Sequence, residues 1–306
     1  MSIAIISPGR DPKVWIEALR QELPNIDLQV YPQIDRPEEV EMALVWQHPP
    51  GFLSLLPNLK LISSLGAGVD HILSDPDVGE ELPIVRIVDE KLTWSMTNYI
   101  ILGVLNFHRQ FVALQNDQRE KVWHPSHPEI AVKVGVMGVG ALGGDALDKL
   151  HGLGFDVVGY GFSEKKDFRH PYYAKAQLKE FLAEINVLVC LLPLTSVTEG
   201  ILNLEFFQAC RKGTYLINVA RGKHLIEEDL MSALNQGYLS GALLDVFRVE
   251  PLPKEHPFWE EERIQLTPHI ASVTNPQAAA PQIIANYKRL KGSQPLLNLV
   301  NRTRGY

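Results

Sequence analysis

Three residues in the C-terminal half stand out by type and by place: Arg221 in "LINVARG", Glu250 in "LLDVFRVEPLP" and His269 in "IQLTPHIAS". Each follows an apolar run of β character, and a guanidinium at the tip of such a run is costly to desolvate unless an anion meets it. An arginine can grip a carboxylate and polarise a ketone, and an imidazolium can give a proton to the carbonyl oxygen. A carboxylate behind the ring orients it and favours its charged form. Together these are the groups needed for hydride transfer to a 2-keto acid. Taken singly, each has a plainer reading: Arg221 as a helix cap or a partner of Glu227 or Glu228, His269 as a satisfied core histidine, Glu250 as a turn residue.

The element that would hold a hydride carrier lies upstream. "VKVGVMGVGALGGDAL" sets Gly138, Gly140 and Gly143 in G-x-G-x-x-G spacing, with Ala141 and Leu142 between, after a β run and before a helix. The first glycine allows the tight turn, the second a close pyrophosphate, the third close helix packing, and the helix N-terminus offers N–H groups to phosphates. The next strand ends "VVGYGFSEKKDF", with Gly161 where an acid for a ribose 2′-OH is expected. Ser163, Lys165 and Lys166 follow and suit a 2′-phosphate, so NADP(H) is the preferred cofactor, with NAD(H) possible. The plainer reading of the lysines is a solvated loop.

Positioning these groups requires parallel sheets, because loops past the carboxyl ends of parallel strands border one crevice. The sequence supplies the alternation. "SIAIIS", a helix from Pro12 to Leu23, "LQVYP", "MALVW", "LKLISSLG" and "IVRIV" read as strands and helices in turn, and "TNYIILGVLNFHRQFVAL" (97 to 114) as one long helix. The alternation restarts at Ala131 and runs through "FDVVGYG", "INVLVCLLP", "TYLINVA", "SGALLDVF" and "IQLTPH". After Ser272, "TNPQAAAPQIIANYKRL" opens with a capping residue and Pro, and Pro281 is expected to bend the helix. The expected architecture is α/β: two Rossmann-like doubly wound parallel-sheet domains with a cleft between them. Residues 1–100 plus 276–306 form a discontinuous substrate-binding domain, and residues 101–275 the dinucleotide-binding domain.

The chain has 306 residues, with 29 Lys and Arg against 36 Asp and Glu and a net charge of -7. That charge repels a phosphate backbone and an anionic membrane, so neither a nucleic acid nor a membrane is expected as a partner. No apolar run reaches the length of a span, the start does not read as a signal peptide, and a cytoplasmic location is expected. Cys190 and Cys210 lack metal-like spacing, and His124 and His127 have no evident companion ligand, so no metal is expected.

"VGVMGVGALGG", "LLPLTSVTEGILN", "LINVARGKHLIEEDLMSAL", "GALLDVFRVEPLP" and "LTPHIAS" resemble, in order, the successive motifs of the D-isomer-specific 2-hydroxyacid dehydrogenase family. The resemblance covers essentially the whole chain. "ALVWQHPP", "LGAGVDHIL", "EPLPKEHPFW" and "RTRGY" are similar to the members that reduce glyoxylate to glycolate and hydroxypyruvate to D-glycerate. It implies a small 2-keto acid substrate, Arg221 as substrate clamp, His269 as proton donor and Glu250 as its partner. It also implies substrate contacts from Trp46 and from Ala67, Gly68 and Val69, whose backbone suits an anion nest. Cofactor contacts are implied for the glycine turn, Ser163, Lys165, Leu192, Pro193, Val219, Ala220 and Asp245, and a homodimer is implied through the long helix. Asn98 departs from the Glu of many members. The alternatives are a dehydrogenase of a larger D-2-hydroxy acid and a non-catalytic dinucleotide-sensing interaction protein.

Overall fold

The computed structural model describes residues 2–302, 304 and 305, so Thr303 and Tyr306 of the "RTRGY" motif lie outside the described residues. The chain divides into two compact units. One holds the residues up to Leu92 together with those from Val273 onward, the other Thr93–Ser272.

In the first unit β1 (Ser2–Ile6), α1 (Lys13–Glu22), β2 (Leu28–Val30), β3 (Val40–Val45), β4 (Leu61–Ser64), α2 (Asp70–Leu73) and β5 (Ile84–Val85) succeed one another. The five strands are parallel in the order β2-β1-β3-β4-β5, a doubly wound arrangement. Strand β1 is buried along its whole length, as a strand covered on both faces must be. The chain end belongs to this unit through specific bonds. The Val300 N–H donates to the Ile84 carbonyl at 2.8 Å, and the Gln282 side chain bonds the backbone of both Arg86 and Val88.

The second unit begins within α3 (Glu90–His108) and continues through α4 (Phe111–Glu120), β6 (Lys133–Met137), α5 (Ala141–Gly152), β7 (Asp156–Gly161), β8 (Tyr172–Ala174), α6 (Leu178–Glu184) and β9 (Val187–Cys190). It closes with α7 (Leu204–Ala209), β10 (Thr214–Asn218), α8 (Glu227–Asn235), β11 (Leu239–Leu244) and β12 (Ile264–Leu266). Its seven parallel strands run β12-β11-β10-β9-β6-β7-β8, so the order reverses between β6 and β9, where such sheets open a ligand crevice. Alternate residues face opposite layers: Val187, Val189, Ile217 and Leu243 share one core, and Leu188, Cys190, Leu216 and Leu244 the other. Each fully buried aliphatic of this kind contributes about 1.5–3 kcal/mol. The Cys190 and Cys210 thiols are pushed up to about 12 by burial, which leaves them unreactive.

Helix α9 (Pro276–Lys291) begins as its sequence requires, with the Asn275 side chain accepting from the Ala278 N–H and Pro276 in the first turn; it runs unbroken through Pro281. The stretch 97–114 is not one helix. Gln110 adopts φ 53°, separating α3 from α4, while its side chain bonds the Pro128 carbonyl at 2.5 Å. The division between units falls at Leu92, close to the start of α3, and again at Val273, ahead of α9. Among the described residues no helix is long and apolar enough to cross a membrane.

Candidate active site

Strand register explains why distant residues meet. Asn218 of β10 pairs with Leu244 of β11, which pairs with Leu266 of β12, so these three strands end side by side. Val219–Arg221, Asp245–Glu250 and Thr267–His269 therefore leave one edge of the sheet. All belong to the second unit.

His269 Nδ1 donates to Glu250 Oε2 at 2.8 Å, and the Phe247 N–H donates to Glu250 Oε1 at 3.0 Å. Burial pushes the Glu250 carboxyl up, but those two bonds and the charges of His269 and Arg221 outweigh it and hold it below the usual glutamate range. Arg221 is thus an electrostatic neighbour of the pair, and its own Nη1 donates to the Ala220 carbonyl at 2.6 Å. The Arg221 carbonyl in turn accepts from Asn218 Nδ2 and the His224 N–H. These bonds fix the turn from which the guanidinium projects.

The glycine after Arg221 carries a constraint the sequence reading passes over. A β-carbon on Gly222 would stand 1.8 Å from the Phe247 carbonyl carbon and 2.4 Å from the Arg248 nitrogen. Backbone therefore touches backbone, joining the Arg221 turn to the loop that ends in Glu250.

Asp245 has a structural task that its sequence neighbourhood does not announce. It is 1% exposed and accepts from Thr267 Oγ1 at 2.6 Å and from the N–H groups of Ile270 and Ala271, each at 2.8 Å. Burial holds its carboxyl above the usual aspartate range despite those bonds and the His269 charge. Its own carbonyl accepts the His269 N–H, and His269 sits at φ 54°, a left-handed conformation that this web imposes on a non-glycine residue. Tyr99 on α3 extends the chain. The Thr267 hydroxyl proton goes to Asp245, so the Tyr99 hydroxyl donates to Thr267, at 2.5 Å.

The glycine turn joins β6 to α5 at the point where the strand order reverses. Gly138 takes φ 98° and lies against Leu191 and Leu192, and a β-carbon on Gly143 would meet the Gly138 carbonyl oxygen at 2.1 Å. Both have reasons internal to the protein. Gly140 has none, since a β-carbon there meets nothing within 4 Å. An open glycine ahead of a helix N-terminus is what a pyrophosphate approaching the backbone needs, and exposed Ala141 and half-buried Leu142 continue the same turn. Lys165 folds onto this turn, its Nζ donating to the Val139 carbonyl at 2.8 Å, while Ser163 and Lys166 are exposed in the same loop. Leu192 is buried beside Gly138, the Pro193 carbonyl accepts from the Thr198 hydroxyl, and Val219 and Ala220 are buried ahead of Arg221.

The first unit carries its own group of predicted residues. Trp46 follows β3, and Ala67, Gly68 and Val69 follow β4 in the turn that opens α2. The Ser64 hydroxyl donates to the Gly68 carbonyl at 2.7 Å. Among the described residues no acceptor takes the N–H of Ala67, Gly68 or Val69, the condition of an anion nest. Arg10, which the sequence reading does not single out, stacks 4.4 Å from the Trp46 ring centroid.

A family model described as "D-isomer specific 2-hydroxyacid dehydrogenase, NAD binding domain" matches residues 101–271. The chain is 36% identical to glyoxylate/hydroxypyruvate reductase A of Yersinia enterocolitica and 38% to that of Serratia proteamaculans, in each case over 100% of both chains. It is similar to a crystal structure of a D-isomer specific 2-hydroxyacid dehydrogenase from Xanthobacter autotrophicus Py2 in complex with NADPH and MES. That match has a TM-score of 0.94 at 37% identity and covers 100% of this chain and 99% of the other. It is also similar to the NADPH-dependent glyoxylate/hydroxypyruvate reductase of Sinorhizobium meliloti in complex with NADP and sulfate, at TM-score 0.92 and 33% identity over 100% of both. With likeness running the full length of the chain in sequence and in fold, this protein belongs to the D-isomer-specific 2-hydroxyacid dehydrogenase family.

Proposed function

We propose that this protein is an NADPH-preferring reductase of small 2-keto acids, with glyoxylate and hydroxypyruvate as its leading substrates. The observation that carries the reading is the His269–Glu250 pair beside Arg221, in loops that leave the same parallel sheet as a glycine turn with an open second glycine. The names and bound cofactors of the relatives support it.

The residues of the turn fit a dinucleotide, which when bound supplies the hydride. Arg221 holds the substrate carboxylate and draws electron density toward the ketone oxygen. His269, charged and oriented by Glu250, delivers its proton to that oxygen as negative charge develops there. Glu250 stays ionised and stabilises the imidazolium. Lys165, Lys166 and Ser163 take the 2′-phosphate. Gly138, Gly140, Ala141, Leu142, Gly143, Leu192, Pro193, Val219 and Ala220 line the dinucleotide. Asp245 receives three hydrogen bonds already and keeps one lone-pair direction for the carboxamide of the ring. Within the first unit, Trp46 and the open N–H groups of Ala67, Gly68 and Val69 suit a small carboxylate.

A homodimer belongs to the same reading, supported by the exposed Trp94, Leu102 and Leu105 of α3. So does a cytoplasmic location, supported by two buried free thiols. The deciding experiment is a 2-keto acid panel assayed with NADPH and with NADH by loss of nicotinamide absorbance. The expected result is fastest turnover of glyoxylate or hydroxypyruvate with NADPH. Preference for a bulkier keto acid would assign the larger-substrate alternative, and NADPH binding with no oxidation by any keto acid would refute the reductase.

A further inference from the structure

We propose that Asp117, His124 and His127 form a binding site for a divalent transition metal ion of the zinc class. The sequence expectation of no metal rested on the lack of a third ligand beside the two histidines. Folding supplies it. Asp117 lies in the last turn of α4, and Lys121, at φ 57°, reverses the chain so that the following segment runs back along that turn, with the Val122 N–H donating to the Asp117 carbonyl at 2.9 Å.

The far side of the segment is pinned as well. Gln110 Nε2 donates to the Pro128 carbonyl at 2.5 Å and the Ile130 N–H to the His108 carbonyl at 3.0 Å. Each histidine also precedes a proline, in "HPSHP", which restricts its backbone to extended conformations and lowers the entropy lost on capturing an ion.

His127 Nε2 lies 2.8 Å and His124 Nδ1 3.7 Å from Asp117 Oδ2, and one ligand atom from each of the three residues lies within 4.8 Å of the others. Ligand bonds of about 2.0–2.2 Å place neighbouring donors roughly 3.3 Å apart around a tetrahedral ion, so small side-chain rotations suffice. Two imidazoles and one carboxylate are a donor set for zinc, nickel or cobalt, whereas calcium and magnesium prefer all-oxygen shells. His127 is 14% exposed and His124 57%, leaving one side open for an ion to enter and for water to complete its coordination.

The test uses the full-length protein, treated with EDTA and desalted, titrated with ZnCl2 by calorimetry, with Co2+ absorbance as a second readout of coordination. One saturable site is expected. His124→Ala and Asp117→Asn should each weaken it at least tenfold while the metal-free melting temperature stays at the wild-type value. His269→Ala should leave it unchanged, which separates this site from the His269–Glu250 pair. Absence of saturable zinc binding in the wild type, wild-type affinity in the two site variants, or loss of the site in His269→Ala would overturn the assignment.

Discussion

The backbone at Gly222 lies directly against the Phe247–Arg248 peptide, with room for a hydrogen and nothing larger. Arg221 and Glu250 are therefore held by one junction, and a change at Gly222 moves both. Gly222→Ala forces backbone apart, a strain of about 3 kcal/mol or more. Urea denaturation should show a loss of that size, and kcat/KM with glyoxylate should fall with it. A variant with wild-type stability and activity would mean that the two loops separate freely.

Replacing Arg221 by Ala removes the one guanidinium proposed to meet the substrate carboxylate. The expected loss is on the order of 3 kcal/mol in kcat/KM, comparable to losing an oxyanion donor. Arg221→Lys should recover only part of it, because an ammonium cannot make the forked contact. Steady-state kinetics with glyoxylate and NADPH measure both.

His269→Ala should bind NADPH, read by quenching of protein fluorescence, and turn over at least a hundredfold more slowly, the usual scale of a lost general acid. Normal turnover in this variant would remove His269 from the mechanism.

Glu250 also reports on stability against pH. Its carboxyl is depressed in the folded protein, so its contribution is complete above the unfolded value of about 4.3 and disappears as pH falls through the lower folded value. Wild type should be more stable than Glu250→Gln at neutral pH, and the gap should close in acid. Denaturant midpoints at a series of pH values test this; a gap that widens toward acid is the contrary result.

The glycine turn offers a paired experiment. Gly140→Ala meets no protein atom and Gly143→Ala meets a carbonyl oxygen at 2.1 Å. The first should melt like wild type but raise KM for NADPH tenfold or more, which is about 1.4 kcal/mol. The second should lose stability outright. If Gly140→Ala binds NADPH normally, the open glycine does not face a pyrophosphate.

Much of the fold was legible because buried parallel strands read as continuous apolar runs, "SIAII" and "NVLVC" among them, and because Asn275-Pro276 is a start signal with a local cause. The break at Gln110 was not, since its left-handed backbone is coupled to a contact with Pro128, far along the chain. Short β8 escaped for a similar reason: its three residues are held by pairing with β7 and carry too little pattern of their own. At the site, residue types pointed to Arg221, Glu250 and His269, but spacing alone could not reveal that Asp245 buttresses the His269 turn through Thr267, Ile270 and Ala271. Asp117 was missed because a helical aspartate and two loop histidines become neighbours only through the reversal at Lys121.

The glycine turn and the Arg221, Glu250 and His269 set all lie in one uninterrupted stretch, inside a compact unit bounded at Leu92 and Val273. A recombination event with crossovers at those two points would transplant the reactive ensemble whole, as a cassette. Descent could then vary the flanking segments, and the selection acting on them, without having to reinvent the acid–base pair.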